Sequence, residues 1–151
     1  MCQSAELSRA RAIAFKGFAV WLRSDFSASN FTMTGYLTTH VLDTAHGCPA
    51  AGVAIALWSI SDEGDHLLLA QVTTNEDGRT DAPLLTDSGF KVGTYELVFS
   101  VGSYFAQFNQ AAPNPPFLDE IPLRFSVANS AAHYHVPLLV SPWSYSTYRG
   151  S

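Results

Sequence analysis

Apolar and polar residues alternate along most of the chain after residue 35, and this alternation predicts β-strands. From Tyr36 to Leu42, the side chains of Leu37, Thr39 and Val41 fall on one side and that of His40 falls on the other. Successive side chains of a strand point to opposite faces of its sheet. We therefore expect Leu37, Thr39 and Val41 to face a core and His40 to lie on the opposite face.

Further runs along the chain predict more strands, separated by polar or glycine-containing turns. Residues 53–60 form a nearly continuous apolar run, which is typical of a strand buried on both faces. Residues 67–74, 94–101 and 121–127 also have strand patterns. Residues 103–110 instead place aromatic side chains one, three and four positions apart, which predicts one short helix over a sheet edge.

Two strand-like runs close the sequence, and they meet at Ser141-Pro142. The first puts Tyr134, Val136, Leu138 and Val140 on one face and His133, His135, Pro137 and Leu139 on the other. The second, residues 143–149, is rich in tyrosine, serine and threonine. Seven or eight short strands with a turn about every ten residues predict an all-β, antiparallel β-sandwich of one domain, residues 34–151.

Residues 1–33 differ from this pattern, because basic residues alternate there with apolar ones. Lys16 interrupts the apolar stretch and Glu6 lies in the basic start, so a secretory signal is disfavoured. An amphipathic extension and a true start at Met33 remain alternatives. We expect a cytoplasmic protein rather than a periplasmic or secreted one.

Composition limits the classes of partner. The net charge is −5 and no basic patch is present, which argues against nucleic acid, and no apolar run is long enough to span a membrane. Only 14% of the residues are charged, against 47% that are hydrophobic. Such low charge fits either subunit surfaces buried in an oligomer or a neutral surface rich in serine and threonine.

Candidate chemistry is restricted to a few polar side chains near strands. Motifs for a serine nucleophile, a phosphate loop, a dinucleotide or a zinc protease are absent from the sequence. Cys2 and Cys48 suggest no disulfide framework, and no fourth ligand accompanies the histidines, so we expect neither a covalent cysteine mechanism nor a metal or other cofactor. His40, Arg79 and His135 could activate water against a carbonyl group, or the histidines could be ordinary surface residues.

Three segments together resemble the transthyretin-related 5-hydroxyisourate hydrolases. They are Leu37-Thr38-Thr39-His40-Val41-Leu42-Asp43, Gly78-Arg79-Thr80, and His133-Tyr134-His135-Val136-Pro137-Leu138-Leu139 with the ending Tyr148-Arg149-Gly150-Ser151. The resemblance spans residues 34–151 and implies a transthyretin-like sandwich of about eight strands. It also implies a homotetramer whose active sites lie at the interface between two dimers.

By position, the resemblance implies a catalytic set and a group that shapes the pocket. The catalytic set is His40, Arg79, His135 and Ser151, and the pocket group is Tyr148, Arg149 and Gly150. The reaction implied is hydrolysis of 5-hydroxyisourate to 2-oxo-4-hydroxy-4-carboxy-5-ureidoimidazoline in urate catabolism, without a cofactor. Either histidine could be the general base. The alternatives are a transthyretin-like carrier of a small ligand and a structural module without chemistry.

Overall fold

The computed structural model describes residues 35–108 and 113–150, and within them the chain forms nine strands and one α-helix. The strands are β1 (Tyr36–Asp43), β2 (Cys48–Pro49), β3 (Ala54–Ile60), β4 (His66–Thr73), β5 (Leu85–Thr86), β6 (Gly93–Ser100), β7 (Glu120–Val127), β8 (Tyr134–Ser141) and β9 (Ser144–Thr147). Helix α1 spans Val101–Ala106, and one turn of 3-10 helix spans Asp87–Gly89. The predicted all-β class with one short helix is confirmed. Residues 1–33, with their three alternative interpretations, lie outside the described residues.

The strands form two sheets. Sheet A has the order β2-β1-β8-β9, and β5 also pairs with β1; sheet B has the order β4-β3-β6-β7. All neighbours are antiparallel except β1 and β8, which run parallel. Since β8 occupies one edge of β1, the two short strands β2 and β5 share the other edge and leave its middle open to another segment.

The core lies between the inner faces of the two sheets. Its largest fully buried side chains include Leu37, Val41, Leu57, Leu97, Phe99, Ile121, Leu138 and Val140. Thr39 is 1% exposed and its hydroxyl donates a hydrogen bond to the Val136 carbonyl, 2.8 Å away. The predicted inward faces of β1 and β8 are therefore confirmed, and the histidines of these strands are left on the outer face of sheet A.

Two details of the sequence interpretation are wrong. Strand β3 is buried on one face only, because Ala54, Ala56 and Trp58 form part of the outer face of sheet B, where no further layer of the described chain covers them. The helix begins at Val101, two residues earlier than predicted, so the last residue of the predicted strand 94–101 belongs to the helix, where its side chain is still buried. The predicted end of the helix, residues 109–110, lies outside the described residues.

A buried carboxylate fixes the end of β1 to α1. Asp43 accepts hydrogen bonds from the Ala45 and His46 amides at 2.9 and 3.0 Å, from His46 Nδ1 at 2.6 Å and from the Tyr104 hydroxyl at 3.0 Å. Burial alone would raise the pKa of Asp43, but these hydrogen bonds outweigh it and hold the pKa below its usual value. The strand that carries His40 is thus anchored at its far end.

Candidate active site

The parallel pairing of β1 and β8 brings the two predicted catalytic histidines onto one face. In this register Thr38 lies opposite His135, and His40 lies opposite Pro137. Directly paired residues share a face of the sheet, so His40 and His135 are diagonal neighbours on the outer face of sheet A. His133, one position before β8, lies on the same side.

Arg79 enters through the open middle of the β1 edge. It forms an isolated antiparallel bridge with His40, and the Val41 amide donates a 2.8 Å hydrogen bond to the Gly78 carbonyl. The preceding turn is held by Asn75, whose amide donates to the Arg79 carbonyl at 2.8 Å and whose Oδ1 accepts from the Arg79 amide at 3.1 Å. The backbone of Arg79 is therefore fixed beside His40.

Gly78 is required for this approach. Its φ is +68°, in the left-handed region, and a Cβ at this position would collide with the Val41 carbonyl oxygen. The Arg79 side chain is exposed and forms no ion pair with any residue of the described part of the chain. A guanidinium on a fixed backbone, without a carboxylate partner there, is available for an anionic or carbonyl ligand.

Both histidines are held as neutral imidazoles near pH 7. Burial lowers the pKa of His135 most, and the positive charges of Arg79, His133 and His40 lower it further. Burial and then Arg79 also lower the pKa of His40, against a smaller raising effect from Asp77. Because a histidine has an ordinary pKa near 6.5, a lowered value leaves the ring uncharged at neutral pH and able to accept a proton.

His40 presents an unused nitrogen. Its Nε2 is buried and has no hydrogen-bond partner among residues 35–108 and 113–150. A buried polar atom without a partner costs about 1–3 kcal/mol, and such atoms cluster where a ligand completes the set.

The sequence interpretation missed two residues of this face, Thr38 and Tyr36. The Thr38 hydroxyl lies 2.9 Å from His133 Nε2 and 2.9 Å from His135 Nδ1. The Tyr36 ring stacks on that of His133, with centroids 4.0 Å apart. The alternation that put His40 on the outer face puts Tyr36 and Thr38 there too, so the signal was present in the sequence.

The predicted pocket residues after β9 divide between two places. The Gly150 amide donates a 2.8 Å hydrogen bond to the His135 carbonyl, so Gly150 packs directly on that histidine. The Arg149 guanidinium instead lies 4.3 Å above the Tyr134 ring, and Arg149 and Tyr148 line a cavity of about 450 Å³ between β7 and β9. Within one copy they face away from His135, and their binding role stays a prediction; Ser151 lies outside the described residues.

We expect Gly150→Ala to impair the site without unfolding the protein. A Cβ at this position would lie 2.9 Å from Cδ2 of His135, so either the imidazole or the backbone must shift. A misplacement on the order of 1 Å can cost about a hundredfold in rate, and we expect kcat to fall by roughly ten- to a hundredfold. Activity assays with a thermal melt measure both effects.

The matched control for that variant is Gly89→Ala, because a Cβ there meets nothing within 4 Å. It should leave kcat unchanged. A Gly150→Ala protein with full activity would show that the segment after β9 does not position His135.

Metal binding and membrane spanning have no structural support in the described ranges. No group of three His, Cys, Asp or Glu side chains there could hold a metal ion. Cys48 is exposed and free. No helix in residues 35–108 or 113–150 is long and apolar enough to cross a bilayer.

Two sheets in this order, with imidazoles and a guanidinium on the outer face of one, define a transthyretin-like β-sandwich. The model of the HIUase/Transthyretin family matches residues 37–150. A 5-hydroxyisourate hydrolase 2 of Rhizobium meliloti (strain 1021) is 54% identical over 118 residues, which cover 78% of this chain and 98% of the relative. The chain therefore belongs to the HIUase/Transthyretin family.

Solved structures agree with this assignment. A crystal structure of (S)-allantoin synthase superposes with a TM-score of 0.73 and 51% identity, covering 78% of this chain but only 44% of that one. Sea bream transthyretin in complex with thyroxine superposes with a TM-score of 0.68 and 27% identity, covering 76% and 93%. The fold is thus shared by proteins with different functions, so the function of this protein must be argued from its site.

Proposed function

We propose that this protein is a 5-hydroxyisourate hydrolase that acts in urate catabolism. The observation that carries the proposal is the juxtaposition of His40, His135 and Arg79 on the outer face of sheet A. Two neutral imidazoles can take and return a proton near neutral pH, and a guanidinium can stabilise charge on a carbonyl oxygen. A relative of this chain is a 5-hydroxyisourate hydrolase. Hydrolysis at a ring carbonyl requires both proton transfer and stabilisation of charge on the carbonyl oxygen.

In the proposed reaction, His135 is the general base. The oxygen of a water molecule bonds to a ring carbonyl carbon of the substrate while His135 Nε2 takes one proton from that water. The ring C–N bond then breaks, and the departing nitrogen takes a proton from the imidazolium. The net result is one water added across the C–N bond, the opened six-membered ring, and a regenerated neutral histidine.

Arg79 and His40 have supporting roles in this proposal. The exposed Arg79 guanidinium binds the substrate's carbonyl oxygens and stabilises the oxyanion that forms during attack. The unpartnered Nε2 of His40 accepts a hydrogen bond from a ring N–H of the substrate and so fixes its orientation. This division of labour assigns the base role to the histidine whose second nitrogen already has a partner, Thr38.

We also propose that four copies assemble, with the sites between two dimers, in the cytoplasm. The outer face of sheet A carries the partly exposed Leu42 and Leu139 beside the histidines, and no further layer of the described chain covers these two side chains. An apolar patch next to a polar site suits an interface between copies. Such an interface would enclose the site and exclude bulk water from it.

The alternative is a carrier that binds a small ligand without turnover. A carrier channel would be expected to hold apolar side chains with few titratable groups, whereas this face presents three histidines and an arginine. The hydrolase is therefore favoured over the carrier.

A decay assay tests the proposed function. Urate oxidase generates 5-hydroxyisourate from urate in the cuvette, and the disappearance of its absorbance is followed with and without this protein. We expect decay that accelerates in proportion to protein concentration. Decay at the spontaneous rate, with protein shown to be folded by circular dichroism, would reject the hydrolase and leave the carrier as the favoured function.

A further inference from the structure

The hydroxyl of Thr38 lies between two histidines and contacts both. Its Oγ1 is 2.9 Å from His133 Nε2 and 2.9 Å from His135 Nδ1. A hydroxyl has one hydrogen and two lone pairs, so Thr38 can donate at most one of these hydrogen bonds and accepts at least one of them. The protonation of the two imidazoles is therefore coupled through a single oxygen atom.

Two arrangements of protons use the Thr38 hydrogen within this group of three side chains; in a third, both imidazoles donate to Oγ1 and the hydroxyl hydrogen points elsewhere. In the first, His135 Nδ1–H donates to Thr38, and the Thr38 hydroxyl donates to Nε2 of His133. In the second, both directions are reversed, and His135 Nε2 of the neutral ring carries the proton. The first leaves a lone pair on His135 Nε2, and the second removes it.

The protonated ring is incompatible with the second arrangement. When His135 takes a proton, both of its nitrogens carry hydrogen, so Nδ1–H must donate to Thr38, and the hydroxyl is left to donate to a bare Nε2 of His133. An enzyme in the first arrangement can form the imidazolium without turning the hydroxyl. Charge-assisted hydrogen bonds are stronger than neutral ones, so this contact gains strength as the charge develops.

His133 is held in place to receive that hydrogen. Its ring stacks on Tyr36, with the planes inclined by 22° and centroids 4.0 Å apart. It lies on the same face as His135, with ring centroids 6.2 Å apart. The acceptor that orients the Thr38 hydroxyl is therefore fixed by packing and does not depend on bound substrate.

We propose that Thr38 and His133 are positioning residues that set the tautomer of His135, so that its Nε2 presents a lone pair to the attacking water. The proposal rests on the proposed function only for the use made of that lone pair. The tautomer itself is a property of the free protein. The lowered pKa of His135 supports it, because a ring that is neutral near pH 7 has a tautomer to be chosen.

A pair of Thr38 variants tests the hydroxyl. Thr38→Val keeps the shape of the side chain and removes the hydroxyl, whereas Thr38→Ser keeps the hydroxyl. We expect Thr38→Val to lower kcat about ten- to a hundredfold, the range for losing one hydrogen bond to a charged group, with KM changed by less than about threefold. Thr38→Ser should restore most of the rate. Equal losses in both variants would assign Thr38 to packing and overturn the proposal.

A pair of His133 variants tests the acceptor. His133→Phe keeps a ring to stack on Tyr36 but removes Nε2, so the Thr38 hydroxyl is free to donate to His135 and favour the inactive tautomer. His133→Gln places an amide oxygen near the former Nε2. We expect a loss of kcat in His133→Phe and substantial recovery in His133→Gln. A fully active His133→Phe protein would remove His133 from the proposal.

The pH profile distinguishes a change in the tautomer of His135 from a general disruption of the site. Among the described residues, the charged or titratable groups that face His135 are Arg79 from the 75–79 turn, His40 from β1 and His133 beside it, and Gly150 packs on its ring from the segment after β9. Loss of the acceptor for the imidazolium Nδ1–H lowers the pKa of His135 in Thr38→Val. The acid limb of kcat/KM should therefore move to lower pH while the plateau falls. An unmoved limb would contradict the assignment.

The direct measurement needs no substrate, so it stays decisive if the protein is not this hydrolase. Nitrogen-15 NMR of histidine-labelled protein, above the pKa of His135, distinguishes protonated from bare ring nitrogens. We expect hydrogen on His135 Nδ1 and a lone pair on Nε2, changing toward the opposite tautomer in Thr38→Val. Hydrogen on Nε2 in the unaltered protein would overturn the proposal, whereas the expected tautomer without turnover would reject only the proposed function.

Discussion

His135→Asn should lower kcat by roughly two to four powers of ten, the range expected for losing a general acid–base group. The asparagine amide occupies the position of the Nδ1 side of the imidazole, so it can keep the contact with Thr38 that now measures 2.9 Å. It has no atom at the position of Nε2 and cannot take a proton from water. The variant therefore removes the base while it retains the local packing, and the decay of 5-hydroxyisourate measures the loss.

The control for His135→Asn is the same change at His66. This histidine lies in β4 of sheet B, near Trp58 and Glu96, and takes no part in the outer face of sheet A. His66→Asn should retain the full rate. His40→Asn should lose less than His135→Asn, since the proposed role of His40 is to orient the substrate. A His135→Asn enzyme with the unaltered rate would refute the base assignment, and a larger loss at His40 would reverse the two roles.

Arg79→Ala should lower kcat by about two to three powers of ten, as the loss of one donor to a developing oxyanion does. The backbone around Arg79 is held by Asn75 and by the pairing with β1, so shortening the side chain should not displace the turn. Removal of the guanidinium also removes a positive charge that lowers the pKa of both His40 and His135. The acid limb of kcat/KM should accordingly move to higher pH in this variant.

Two variants separate the geometry of Arg79 from its charge. Arg79→Lys keeps the charge but loses the planar fork of donors, and should recover only part of the rate. Arg124→Ala removes one positive charge elsewhere, because Arg124 is paired with Glu96 at 3.0 Å on sheet B. It should leave turnover unchanged. Equal activity in the Arg79→Ala and unaltered proteins would exclude oxyanion stabilisation by Arg79.

The faces of the strands could be predicted from the sequence because alternation is a local property. Leu37, Thr39 and Val41 are buried as expected, and so are Val136 and Leu138. Each of these assignments needs only the period of two along one strand. Strand pairing depends on segments that lie far apart in the sequence. The alternation along one strand could therefore not predict that β1 pairs in parallel with β8. The sequence pattern predicted an antiparallel sandwich, and this parallel pair departs from that prediction.

The site was predicted in part for the same reason. His40, Arg79 and His135 are neighbours on the outer face of sheet A, whereas their catalytic roles stay predictions. Thr38 was overlooked because a threonine in a strand is ordinary, and its importance depends on two histidines about a hundred positions away. The Arg149 guanidinium lies over the Tyr134 ring, where a cation is attracted to the aromatic face. The spacing of these residues in the sequence does not predict this contact.

The pairing of β1 with β8 also has a consequence for how this protein is made. Its contacts join residues 95–97 positions apart, as between Thr38 and the two histidines or Thr39 and Val136. Contacts of such high sequence separation form slowly, because a long loop must close before they are gained. His40 and Arg79 leave the ribosome well before their partner strand, and the outer face of sheet A cannot form until β8 follows. Strand β8 must therefore be translated before any catalytic geometry exists, and a nascent chain stalled before β8 would expose the unpaired edge of β1.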